Sequence, residues 1–430
     1  MKMISTRGIA PAASISEAIA AGLAPDGGLY MPGSLPGFTP SDFDGDATLA
    51  QVAHRLLQPF FAGDVLEPQL DAICEPTFAI EPSLRPFGNQ GDYILELFHG
   101  PTAAFKDYGA GFLAASLAAL PRGDKPLTIV VATSGDTGAA VGAAFHRKPG
   151  IRVAILYPDG RVSPRQAHQL GCFGDNVRAF RVDGSFDDCQ RLAKALLSDA
   201  AFKQEVPLGS ANSISLGRLL PQMAYYAHAS LVHWRARGRP LDFVVPTGNL
   251  GNGLACVLAR AMGLPVGRVV LASNANDVLP AFFAGGDYAP QPSIATLANA
   301  MDVGAPNNFE RLQWLHPDDG ELRRALGADS VDDDAIRAGI VRMHRDHGET
   351  ICPHTACAVE VLRRLRESGA DGDWAVVSTA HPAKFPEVVE PLVGHAVPLP
   401  PALAAMLARP GTAEPLADDA DALRDLLRKT

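Results

Sequence analysis

The sequence predicts an α/β protein with largely parallel sheets, on three observations. Short apolar runs near 93–98, 127–132, 151–157, 177–182, 242–246, 268–272 and 375–379 alternate with helical patterns, as strands joined by crossover helices do. Three of these runs pass directly into turns dense in Gly, Ser, Thr or Asn that open a helix. Finally, 430 residues with 47% hydrophobic content suffice for more than one core.

The N-terminal stretch IAPAASISEAIAAG (9–22) is Ala-rich, but Pro11, Ser14, Ser16 and Glu17 interrupt it, so it does not read as a secretory segment. Ser14 and Glu17 have the spacing of a capping box, which predicts a helix from about Ile15 that stops at Gly22. Up to about residue 90 helical patterns and Pro/Gly breaks dominate, with little strand. No apolar run approaches the ~20 residues of a membrane span, and a cytoplasmic protein is expected.

In LFHGPTAAFKDYGAGF (97–112) a buried strand breaks at Gly100 and Pro101, and Lys106 enters a helical run that ends before Pro121. Phe105 and the small residues around it favour a desolvated amine, whose pKa falls and which then attacks aldehydes to form a Schiff base. The plainer account is a helix-start lysine with its head in water. In LTIVVATSGDTGAAVGAAF (127–145) the turn presents N–H groups and hydroxyls at a helix N-terminus, a setting that favours anions. The alternative is an ordinary loop capped by Ser134, Asp136 or Thr137. In DFVVPTGNLGNGLACVLARAMG (242–263), Gly248, Gly251 and Gly253 permit close backbone approach, and Asn249 and Asn252 tolerate the left-handed conformation of an anion cradle. The glycine order GxxGxG is not a dinucleotide fingerprint, and no GK[ST] ending makes it a nucleoside-triphosphate loop. A phosphate without a nucleotide is the simplest cargo.

A net charge of −10 with interspersed charges argues against a nucleic-acid partner. The six cysteines form no CxxC pair, as suits a reducing compartment. Cys352, His354 and Cys357 lie close together without a second cluster at ligand spacing, so no metal site is expected. The tail from about 410 has the pattern of a short charged amphipathic helix, solvated or packed on the body.

HGPTAAFKD, ATSGDTGAA, SANSISLGR (210–218), PTGNLGN and STAHPAKF (378–385), together with DGGLYMP (26–32) and NAMDVGAPNNFER (299–311), occur in one order along nearly the whole chain. This ordered set resembles the threonine synthases, a family of fold-type II pyridoxal-phosphate enzymes related in fold to the tryptophan synthase β subunit. The resemblance implies an N-terminal domain over 1–90, a large cofactor domain over 91–126 and 236–430, and a small domain over 127–235. It implies that Lys106 holds pyridoxal 5'-phosphate and moves protons, that Gly248, Asn249, Leu250, Gly251 and Asn252 cradle the cofactor phosphate, that Asp136 faces the ring hydroxyl, and that Thr379 bonds the pyridine nitrogen. Leu250 replaces a Phe frequent in this branch. The implied reaction is O-phospho-L-homoserine plus water to L-threonine and phosphate, with Ser134, Thr137, Asn212 and Arg218 as candidate donors to the substrate phosphate. Read singly, Arg218 also fits a helix-face arginine in water, and His381 and Lys384 fit a packed histidine and a surface lysine. A phospholyase or dehydratase on the same cofactor, or a silent binding homologue, are the alternatives. The oligomeric state, monomer or homodimer, is left open.

Overall fold

The computed structural model describes residues 1–88, 91–121 and 123–429. Its strands are β1 (Met3–Ser5), β2 (Tyr30–Pro32), β3 (Ser83–Pro86), β4 (Asp92–Glu96), β5 (Leu127–Ala132), β6 (Ile151–Pro158), β7 (Val177–Val182), β8 (Leu208–Ser210), β9 (Leu241–Pro246), β10 (Val266–Ser273), β11 (Gly327–Ser330), β12 (Trp374–Ser378) and β13 (Glu414–Leu416). They form a six-stranded sheet in the order β11-β10-β9-β12-β4-β3, a five-stranded sheet in the order β13-β7-β6-β5-β8, and a ribbon of β1 with β2. Apart from the antiparallel β3 edge and the β1–β2 ribbon, every pairing is parallel.

The apolar runs are continuous because both faces of each sheet are covered, as parallel sheets require. In the six-stranded sheet Leu95, Phe243, Val245, Ala375 and Val377 enter one core, while the alternate residues Ile94, Val244, Trp374 and Val376 enter another. The five-stranded sheet divides likewise: Ile129, Val131, Val153 and Ile155 join the first core, and Val130, Ala154, Leu156 and Phe180 a third. The first core is thus shared by both sheets and clamps one against the other.

The helix Ile15–Ala21 begins at Ser14 with the expected capping box to Glu17 and ends at Gly22. Two segments cross the expected division of the chain. Strand β3, within 1–90, hydrogen-bonds to β4 of the six-stranded sheet. Strand β13, in the tail, pairs with β7 of the five-stranded sheet, and the helix Ala420–Arg428 that follows buries Leu423 and Leu427 in its core. Both are short edge strands; β3 folds back on the strand that follows it, whereas β13 is placed by a partner distant in sequence. Among the described residues no helix is long and apolar enough to cross a membrane.

Candidate active site

The carboxyl ends of β4, β5, β8, β9 and β12 face one cleft of about 850 Å³, counting the space open at its mouth. Such ends are where ligands bind in parallel α/β sheets. Lys106, Ser134, Asp136, Thr137, Asn212, Arg218, Gly248, Asn249, Leu250, Gly251, Asn252 and Thr379 all line this cleft.

Lys106 is the first residue of the helix Lys106–Ala119. The turn before it is pinned to the segment after β12: Phe105 N–H donates to the Thr379 carbonyl at 2.9 Å, and His381 N–H to that of Ala103 at 3.0 Å. Ala103 holds φ +56°, a conformation a bulkier residue adopts at greater cost. The turn is locked from below by Asp107, whose carboxylate accepts from Thr102 N–H at 2.9 Å and Thr102 Oγ1 at 2.6 Å. A Cβ at Gly100 would lie 2.4 Å from Asp107 Oδ2, which accounts for the glycine in HGPT. Lys106 Nζ sits 5.7 Å from the centroid of the Phe105 ring. Burial, helped by the charges of Arg218 and Lys384 and opposed by Asp136, lowers its pKa to about 8. At pH 7 about a tenth of the amine is then neutral, against under a thousandth for an ordinary lysine.

The turn after β5 is capped by a residue not among those expected. Gly135, at φ +141°, occupies the N-cap of the helix Asp136–Phe145 and offers no side chain, so neither Ser134, Asp136 nor Thr137 caps it. Thr133 Oγ1 does so instead, accepting from Gly135 N–H at 3.0 Å and Gly138 N–H at 2.9 Å. Ser134 and Thr137 are thereby left to line the cleft.

In the third loop the left-handed residue is Leu250 (φ +64°), not Asn249 or Asn252. The asparagines have other tasks. The Asn249 carbonyl accepts from Asn308 Nδ2 at 2.9 Å, and Asn252 Oδ1 accepts from the hydroxyls of Tyr225 and Tyr226. Asn252 Nδ2, buried in the cleft wall, has no hydrogen-bond partner among the described residues. It lies in the first turn of the helix Gly251–Ala261, where the leading N–H groups are also free of intrahelical bonds. Loop and helix end therefore form a donor-rich concavity suited to an anion.

Two residues read as plausibly solvated prove buried. Arg218 is 3% exposed. Its Nη1 donates to the Ala211 carbonyl at 2.6 Å, its Nε has no partner, and no carboxylate pairs with it among the described residues. Lys384 is fully buried; its Nζ lies 2.8 Å from Asp136 Oδ1 and donates to the Thr102 carbonyl at 2.8 Å. His381 is partly buried against Phe98, and its Nδ1 accepts from Ala383 N–H.

Three family models match the chain: one described as pyridoxal-phosphate dependent enzyme over 90–382, one as threonine synthase N terminus over 2–78, and one as threonine synthase, C-terminal, over 355–427. The threonine synthase of Escherichia coli (strain K12) is 38% identical over 431 aligned residues, covering 99% of each chain. A crystal structure of pyridoxal-phosphate-bound threonine synthase from Brucella melitensis superposes with TM-score 0.91 at 33% identity, covering 100% of this chain and 99% of that one. The Escherichia coli structure gives 0.89 at 37% identity, with full coverage of both. The chain belongs to the threonine synthase family.

A pyridoxal-phosphate enzyme of this family needs an amine, a phosphate cradle and partners for the cofactor ring, and the cleft holds residues whose chemistry fits these needs. Lys106 supplies a low-pKa amine, the Leu250–Asn252 segment has a buried donor without an acceptor, and Thr379 stands directly behind the Lys106 turn. Four further residues act here without having been singled out for a role: Asp107, Thr133, Gln166 and His354. Gln166 Nε2 donates to Asp136 at 3.2 Å, while its Oε1 accepts from Asn299 at 2.9 Å. His354 Nε2 accepts from Ala300 N–H at 3.1 Å, and burial, reinforced by Lys106 and Lys384 against the pull of Asp136, lowers its pKa to about 4. The imidazole is thus neutral at pH 7. Cys352 caps the helix that carries His354, accepting from Thr355 N–H, which gives this cysteine a structural task.

Proposed function

We propose that this protein is a threonine synthase that converts O-phospho-L-homoserine and water to L-threonine and phosphate, acting in the cytoplasm. The observation that carries the reading is that two anion-receptive zones, built from different loops, line one cleft together with Lys106. One is the donor-rich start of the helix Gly251–Ala261, and the other combines Arg218 with the N-terminus of the helix Asp136–Phe145. An enzyme with one phosphorylated cofactor and one phosphorylated substrate needs two such zones.

In this reading Gly248, Asn249, Leu250, Gly251 and Asn252 hold the cofactor phosphate, Thr379 faces the pyridine nitrogen and Asp136 the ring hydroxyl. When bound, pyridoxal phosphate supplies an electron sink for charge that develops on the substrate carbons. Lys106 Nζ, close to half-titrated at mildly alkaline pH, takes a proton from one carbon and returns it to another. Ser134, Thr137, Asn212 and Arg218 hold the γ-phosphate until it departs, with the buried guanidinium as the principal charge. Asn212 already donates one N–H to the Ala132 carbonyl at 3.0 Å, which orients its amide. Ala300 and Met301 line the cleft as well, held there by the bond from Ala300 N–H to His354. We further assign residues 1–90 to an N-terminal domain, 127–235 to a small domain and the remainder to the large one, the tail lending β13 to the small domain's sheet.

The test is product analysis with O-phospho-L-homoserine and pyridoxal phosphate. Threonine and phosphate should appear in equal amounts. Release of 2-oxobutyrate in place of threonine would overturn the assignment.

A further inference from the structure

Lys384 has no part in the scheme above, yet its pairing with Asp136 is among the most enclosed ion pairs of the described residues. Lys384 is fully buried and Asp136 is 3% exposed. Among the described residues its Nζ has two polar partners: Asp136 Oδ1 at 2.8 Å, and the carbonyl of Thr102 at 2.8 Å, in the turn that delivers Lys106. The other Asp136 contact, Gln166, is neutral. The carboxylate is therefore paired with one amine and lines the same cleft as the other, Lys106. Lys106 is the amine that has to be free.

We infer that Lys384 is a positioning residue that occupies the Asp136 carboxylate, so that Asp136 stays ionised at the cleft wall without forming an ion pair with Lys106. Resting on the proposed role of Lys106, this explains how a carboxylate and a reactive amine coexist in one cleft. An unshared carboxylate in the same cleft would stabilise the Lys106 ammonium and suppress its reactivity. The neighbouring charges agree in sense. Lys106 feels attraction from Asp136 and repulsion from Arg218 and Lys384. Asp136, though burial opposes its ionisation, is held well below the usual carboxylate range by Lys384, with Lys106 and His354 also favouring the anion. Asp107, beneath the turn, is engaged by Thr102.

The experiment measures the pH midpoint for acylation of Lys106 by acetic anhydride in the full chain freed of cofactor, read by peptide mass spectrometry. The parent midpoint should fall near 8. In Lys384→Met it should rise by about one unit or more, the effect of freeing one adjacent carboxylate. In Asp136→Asn it should fall below the parent value, and in Asp136→Asn/Lys384→Met it should recover toward it. Loss of both charges together spares the fold the unpaired ion that either single variant buries, so this arm remains readable if Lys384→Met does not fold. A Lys384→Met chain that folds and keeps the parent midpoint overturns the inference, as does an Asp136→Asn midpoint at or above the parent's. Acylation requires no substrate, so failure of the proposed reaction and failure of this inference are separate outcomes. In the loaded enzyme, Lys384→Met should lower kcat and shift its pH profile to higher pH while leaving KM for phosphohomoserine little changed, a pattern that a merely loosened fold does not produce.

Discussion

Tyr225 donates its hydroxyl to Asn252 Oδ1 at 2.7 Å, and Tyr226 adds a second donor to the same oxygen at 2.8 Å. With its oxygen saturated, the Asn252 amide has a fixed orientation, and Nδ2 is buried without an acceptor among the described residues. An asparagine so constrained is built to donate to something outside the protein.

Asn252→Ala should therefore weaken retention of pyridoxal phosphate. A hydrogen bond to a charged group contributes about 1.5–3 kcal/mol, so the cofactor Kd should rise about ten-fold or more. Tyr225→Phe should act in the same direction and more weakly, because Tyr226 still holds the amide. Equilibrium dialysis against free cofactor decides it, and an unchanged Kd in Asn252→Ala would remove Nδ2 from the phosphate site.

Gly248 and Gly251 belong to the same loop but should fail differently. A Cβ at Gly248 would come within 2.9 Å of Met301 Cα, so an alanine there must displace the 299–301 turn. At Gly251 the nearest atom is Asn308 Nδ2 at 3.6 Å, an ordinary contact. Gly248→Ala should cost about 1–3 kcal/mol of stability. Gly251→Val should leave the cofactor-free protein folded while its cofactor content collapses, since the branched side chain intrudes on the N–H groups. Paired denaturation and cofactor assays check both, and a Gly251→Val protein with full cofactor content would make this loop a mere connector.

Lys106 makes the cofactor-free fold pH-dependent. Its pKa falls from the usual 10.5 to about 8 on folding, chiefly through burial. Between those values the unfolded chain binds more protons than the folded one, so stability rises with pH across that window; below about pH 8 the cost of burying the ammonium is fully present. Lys106→Met should thus be more stable than the parent at pH 7, with the gap narrowing as pH rises from 8 toward 10. Urea unfolding of both proteins over that range measures it. The same variant should show neither turnover nor borohydride labelling, and a pH-independent gap would mean that Lys106 is solvated.

Strands β4, β5, β9 and β12, which bring most of the cleft together, were legible because burial on both faces leaves a continuous apolar run, as in LTIVVA and DFVVP. Strands β8, β11 and β13 were not, being three or four residues long and placed at sheet edges by distant partners. The site loops stood out through their glycines and hydroxyls, and those residues do line the cleft. Thr133, Asp107 and Lys384 did not stand out, because their chemistry depends on what they touch. A lysine in HPAKF has nothing local to mark it as buried; its partner, Asp136, lies 248 positions earlier in the chain. The left-handed position at Leu250 defies local preference as well, since a glycine or asparagine fits it at lower cost.

Arg218 offers the sharpest separation of the two anion zones. Among the described residues no carboxylate pairs with it in its buried position, and its Nε has no acceptor. Burial lowers its pKa to about 10, with Tyr225 and Asp107 pulling the other way, so it remains charged at neutral pH. An unpaired buried cation costs stability that an arriving phosphate restores. Arg218→Met should accordingly leave the cofactor spectrum and Kd intact, yet lower kcat/KM for phosphohomoserine about ten-fold to somewhat over a hundred-fold. Without anions the variant should be at least as stable as the parent. Inorganic phosphate should raise the Tm of the parent, since a ligand that binds only the folded state stabilises it, and should raise that of the variant much less. A variant that lost cofactor would move Arg218 to the cofactor site. Parent-like kinetics and an equal response to phosphate would instead return the search for the substrate anion to Ser134 and Thr137, whose side chains line the same wall.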